Sequence, residues 1–148
     1  AIIPINPYDW LIECISSIRK LTNKKILIRE HPLQKKIDTA RMQEILNGKN
    51  IFLSNSQTIH KDLENAFTCV TFSSGSAIDS LIEGVPVIAT DKRSFAYEIS
   101  ENNINNLFEM KTNDRVPLLS ALANIHWSLS EIQNGEAANF FLNLIETK

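Results

Sequence analysis

Residues 69–89 read Cys69-Val-Thr-Phe-Ser-Ser-Gly-Ser-Ala-Ile-Asp-Ser-Leu-Ile-Glu-Gly-Val-Pro-Val-Ile-Ala89, and this stretch decides the fold. A short apolar run, Cys69–Phe72, leads into a polar turn. The next segment, Ser76–Glu83, places Ile78, Leu81 and Ile82 on one face of a helix. A second apolar run, Pro86–Ala89, follows at once. Short runs rich in Ile and Val suit strands buried on both faces, so the unit reads strand–helix–strand.

Working outward, the same alternation repeats. Ile2–Ile5, Lys25–Arg29 and Ile51–Leu53 are further strand-like runs, and Leu107–Phe108 is a candidate sixth. Between them, Leu11, Ile15, Ile18 and Leu21 recur at helical spacing, and Thr39–Leu46 and Thr58–Ala66 read as two more helices. The pattern predicts a doubly wound, Rossmann-like three-layer α/β domain with a parallel sheet of five or six strands. From Asp114 the pattern is helical only. Val116, Leu119, Leu122, Ala123 and Ile125 mark one C-terminal helix. Ser128 with Glu131 forms a capping box opening another, Leu129–Glu146, inside which Gly135 weakens the helical pattern. Glu101–Asn106, with four asparagines, is the one flexible-looking stretch.

Residues 1–148 fit a single domain with a real core. A formal net charge of −2 gives no concentrated basic surface, so nucleic acid is not an expected partner. No apolar run reaches the roughly 18 residues of a membrane span, and no export signal precedes the first strand. A cytoplasmic protein is expected, with peripheral association to the inner membrane as an option. The chain opens on a strand-like run without methionine and reads as an excised or truncated piece. Cys14 and Cys69 lie in apolar segments without metal-ligand neighbours and read as buried free thiols; no metal site is expected.

In open α/β sheets ligands bind beyond the carboxyl ends of the strands, where strand order reverses. With the order 3-2-1-4-5, three polar clusters share that edge: Asn6-Pro7-Tyr8-Asp9, Arg29-Glu30-His31-Pro32 and Ser73-Ser74-Gly75-Ser76. The serine cluster lies between a strand and a helix start, where unpaired backbone N–H groups, three hydroxyls and an unobstructed Gly75 suit a phosphate. Plain N-capping is the competing reading. The cluster is not a P-loop, because the required glycine and lysine spacing is missing. His31 is placed to donate to a phosphate or to protonate a leaving phosphate, with Pro32 restricting the turn. Asp79 and Glu83 share a face of the following helix, and Asp79 is the candidate acceptor for a ribose diol. His60 and His126 lack such company and read as structural or solvated.

The segment Thr71–Ile88 resembles the donor-site signature of GT-B glycosyltransferases, in which a serine-rich turn leads into a helix carrying an acidic residue and Gly-x-Pro-Val opens the next strand. Ile28-Arg-Glu-His-Pro32 is similar to the His-Pro motif of bacterial transferases using CMP-activated sugars, including several sialyltransferases and the Kdo transferases of capsule polysaccharide synthesis. Trp127-Ser-Leu-Ser-Glu-Ile-Gln-Asn-Gly-Glu136 resembles the closing helix of the capsule-type group. The resemblance implies the C-terminal, donor-binding half of a GT-B enzyme. A CMP-sugar is then the donor in preference to a UDP-sugar, and no further cofactor is needed. Arg29, His31 and Pro32 would meet the CMP portion, and Ser73, Ser74, Gly75 and Ser76 its phosphate. Asp79 stands where many members have glutamate. His31 is the single catalytic candidate; the N-terminal acceptor domain has no counterpart here, so the isolated chain is expected to bind donor without turnover.

Two alternatives follow from the same residues. One is a UDP-sugar GT-B enzyme or an epimerase-like domain. The other is a non-enzymatic flavodoxin-like binding or signalling module, such as a receiver. A receiver needs an aspartate at the end of its third strand, where this chain has Leu53-Ser54-Asn55.

Overall fold

The computed structural model describes residues 6–31, 38–110, 113–125, 130 and 133–135. The chain divides into two compact units, Ala1–Asn113 and Asp114–Lys148, at the point where the sequence pattern turns from alternating to helical only.

In the first unit, α1 spans Pro7–Leu21. The Asn6 side chain accepts from the Tyr8 amide, proline occupies the first turn, and Arg19 and Lys20 sit in the last, each the favoured residue type for its place. The Arg19 guanidinium also donates to the carbonyls of Lys24, Lys49 and Asn50, fixing the turns that enter the first two strands. Strand β1 is Ile26–Ile28, α2 is Thr39–Leu46 with Asp38 capping the Arg41 amide, and β2 is Ile51–Leu53. Then come α3 at Ile59–Leu63, β3 at Cys69–Thr71, α4 at Ser76–Glu83 and β4 at Val87–Ala89. Helix α4 stops because Gly84 takes a left-handed φ of 79°, a conformation glycine adopts without penalty.

Strand β1 pairs parallel with β2, Leu27 opposite Phe52, and β3 pairs parallel with β4, Val70 opposite Ile88. The described residues therefore form mixed α/β structure with two separate two-stranded sheets, not one sheet of five or six strands. The two pairs are the outer neighbours of the expected order; the run expected to lie between them, Ile2–Ile5, falls outside the described residues. The core around the first sheet joins Tyr8, Ile28, Met42, Ile45 and Ile51, with Leu11 and Ile15 packed against it. Around the second, Ala77, Ser80 and Leu81 of α4 bury against Val87, Ile88 and Ala89, the last two fully enclosed.

Leu107–Phe108 is not a strand. A 3₁₀ turn at Ile104–Asn106 precedes it, Leu107 is buried as a plug and Phe108 is exposed. The added parallel contact on β4 lies instead at Glu101, which bridges Ile88. The flexible-looking asparagine stretch is in fact tied down. Asn102 donates to the Ala89 and Tyr97 carbonyls, Asn103 accepts from the Asn105 amide, and Asn106 donates to Glu101. Asparagine side chains imitate backbone turns, and here they supply the partners a strand would otherwise provide. The helix expected over Thr58–Ala66 is shorter than its apolar pattern.

In the second unit, α5 spans Val116–Ile125, with Asp114 accepting from the Val116 amide. Gly135 takes a φ of 83°, which marks a turn inside the pattern expected for the last helix. Ser128 and Glu131, the expected capping box, lie outside the described residues, as do His126 and Trp127.

Candidate functional site

The segments following β1 and β3 open onto one cavity of about 1390 Å³. His31 and Glu30 reach it from the end of β1; Ser74, Gly75, Ser76 and Asp79 reach it from the turn into α4. Pro7, Tyr8 and Trp10, at the start of α1, line it as well. The volume exceeds the ~300–1,000 Å³ of an ordinary ligand pocket, because the cavity continues along the strands themselves and takes in Leu27 and Val70.

The serine turn is partly self-satisfied. The Ser74 amide donates to Thr71 Oγ1 at 3.3 Å, and the Ser74 hydroxyl accepts from the Ser76 amide at 3.3 Å. Ser76 Oγ lies 3.5 Å from Thr71 Oγ1, and its carbonyl takes the buried Ser80 hydroxyl at 2.7 Å. Capping thus accounts for much of Ser74 and Ser76. Ser73 is exposed, and Gly75, the N-cap of α4, makes no side-chain bond. Gly75 has an ordinary φ of −58°, and a Cβ placed on it would meet nothing within 4 Å. Neither backbone nor crowding demands glycine there; the open space beside it is what the residue preserves.

Arg29 is placed differently from His31. Its guanidinium meets Asp62 at 2.7 Å and donates to the Ser56 carbonyl, bracing the loop from β2 into α3. Burial pushes the Asp62 carboxyl up, but hydrogen bonds from Ser54, Ser56 and Arg29 outweigh it and leave its pKa below the ordinary value. Pro32 lies outside the described residues. Asp79 is half-buried in the first turn of α4, whereas Glu83, one turn on, pairs with His60 of α3 at 2.7 Å. The third expected cluster is structural in its details: Asn6 caps α1, Tyr8 is buried and accepts from the Asp38 amide, and Asp9 pairs with Arg41.

A neighbouring group was not legible in the sequence. Trp10 donates from its indole to Thr90 Oγ1 at 2.9 Å and meets the Phe72 ring edge-on at 5.9 Å. The Arg93 guanidinium lies 5.1 Å from the same Phe72 ring, held by Asp91. Among the described residues, no group of three or more His, Cys, Asp and Glu could hold a metal, and no helix is long and apolar enough to cross a membrane. No protein-family model, curated protein or solved structure matches the chain.

Proposed function

We propose that the chain is the donor-binding half of a GT-B glycosyltransferase of bacterial surface polysaccharide synthesis, taking a CMP-sugar. The observation that carries this reading is the shared cavity: His31 and the Ser74–Ser76 turn, over forty residues apart, line one space that runs along β1 and β3 and reaches the segments following both strands. In this reading the two strand pairs are the flanks of one doubly wound, Rossmann-like sheet with the ligand crevice between them. The start of α4 and the open face of Gly75 receive the phosphate, because amide donors and the helix dipole favour an anion. His31 donates to that phosphate and is the candidate acid for its departure. Asp79 takes the ribose diol. The isolated chain binds donor without transferring sugar, since the acceptor and its activating base belong to the other half of such an enzyme.

Titrating CMP and UMP into the protein by calorimetry tests this. Binding that weakens in His31→Ala and Ser74→Ala is the expected result. Failure of both nucleotides to bind would remove the proposal.

A further inference from the structure

Two aromatic side chains stand on the cavity wall outside the buried core. Phe72 directly follows β3 and directly precedes the serine turn, and Trp10 lies in the first turn of α1; both are half-buried. Their rings meet edge-on, with centroids 5.9 Å apart and planes at 76°, an arrangement that aromatic quadrupoles favour. The Arg93 guanidinium, anchored by Asp91, lies over the Phe72 ring at 5.1 Å. Two rings have four faces. The edge-on contact covers one and Arg93 another, so among the described residues two remain with neither a ring nor a cation against them.

Aromatic surface on a cavity wall suits a flat partner. Every nucleobase has a π-face, and stacking it on an aromatic side chain removes apolar surface of both from water. The place fits the same ligand as the turn: Phe72 lies two residues before Ser74, so a phosphate on the turn keeps its base near the ring. Resting on the donor-site reading above, we propose that Phe72 and Trp10 form the base-binding wall of this site, on which the nucleobase stacks while its phosphate meets the serine turn. Arg93 is a positioning residue that holds the Phe72 ring. Stacking favours a base over no base and treats cytosine and uracil nearly alike, because both present a π-face. A choice between them comes from hydrogen bonds to the base edges, not from this wall.

The test is calorimetric titration of CMP, UMP and ribose 5-phosphate, which has the phosphate and no base, into the 148-residue chain and into Phe72→Leu. Thermal unfolding checks that the variant folds. CMP should bind about tenfold or more tightly than ribose 5-phosphate. Phe72→Leu should erase most of that margin, weaken UMP by the same factor and leave ribose 5-phosphate unchanged. A second readout uses the chain's two tryptophans. In Trp127→Phe, which leaves Trp10 alone, CMP should quench the indole fluorescence and ribose 5-phosphate should not. That readout decides by itself where Phe72→Leu does not fold. Four results overturn the inference while leaving the phosphate site standing: CMP no tighter than ribose 5-phosphate, a margin that survives Phe72→Leu, an equal loss of all three ligands (the mark of a structural role), or Trp10 emission unmoved by saturating CMP. No binding of any of the three overturns both.

Discussion

The Trp10 indole N–H donates to Thr90 Oγ1 at 2.9 Å, joining the start of α1 to the end of β4 across 80 residues of sequence. Two residues earlier, Tyr8 is buried in the core of the other sheet, with Ile28 and Met42. The first turns of α1 therefore hold both strand pairs at the edge where the cavity opens.

Removing the Trp10–Thr90 link should loosen the first unit. Trp10→Phe deletes the hydrogen bond and keeps most of the ring, so a loss of about 1 kcal/mol is expected. Trp10→Ala also removes the contact with Phe72 and should cost about 3 kcal/mol, the low end for truncating a large aromatic, because Trp10 is only half-buried. Urea unfolding followed by circular dichroism measures both. Equal, near-zero losses would show that α1 is held by the Tyr8 side alone.

Asp62 should make the first unit acid-sensitive. Its carboxyl has a folded pKa below the ordinary value, so its stabilisation is complete above the unfolded pKa of about 3.9 and is lost as pH falls through the folded value. Asp62→Asn should cost about 1–3 kcal/mol near neutral pH, because Arg29 and Ser54 lose a charged partner. In acid the wild-type and variant stabilities should converge. A gap that stays constant across that range would place the stabilisation elsewhere.

The cysteines should be inert in the native protein. Burial, aided by the charge of Glu13, pushes the Cys14 thiol up to about 12, and burial raises Cys69 as well. At pH 8 a thiol of that pKa is ionised roughly one part in 10⁴, against roughly a quarter for an unperturbed one. Labelling of Cys14 with a disulfide reagent should therefore be slowed by roughly three orders of magnitude, and that of Cys69 slowed too, until the chain is unfolded, when both thiols react. Fast labelling of the folded protein at pH 8 would contradict the burial.

The alternation of short apolar runs and helical stripes was sufficient to place α2 and α4 at their observed ends, because both signals are local; the strand pairing came from the assumed order, whose outer neighbours are the pairs observed. What it misjudged depends on side chains that act at a distance. Leu107 is apolar because it plugs the core, not because it extends a sheet. Asn102 and Asn106 look like loop residues until their partners, Ala89 and Glu101, are known. Arg29 lines the same cavity as His31, but nothing local in the sequence reveals the carboxylate it pairs with, 33 residues away. Trp10 gave no signal at all, since nothing near it in sequence reveals Thr90.

Gly75 separates the cap from the binding site. The serine turn already satisfies part of the start of α4 through Ser74, so Ser74→Ala should cost about 1 kcal/mol whether or not a phosphate binds. That loss of stability alone cannot distinguish a cap from a cradle. Gly75→Ala can. With a φ of −58° and no atom within 4 Å of an added Cβ, alanine fits without strain. Lower entropy of the unfolded chain should then leave stability unchanged or raise it by about 0.4–1 kcal/mol. If a nucleotide phosphate occupies the open space, the same methyl group stands in its way, and CMP should bind about tenfold or more weakly, a difference of about 1.4 kcal/mol. Thermal unfolding and calorimetry on this one variant measure the two effects separately. Raised stability with lost binding is the signature of a ligand site; raised stability with CMP affinity intact would leave the turn as a helix cap and move the phosphate elsewhere in the cavity.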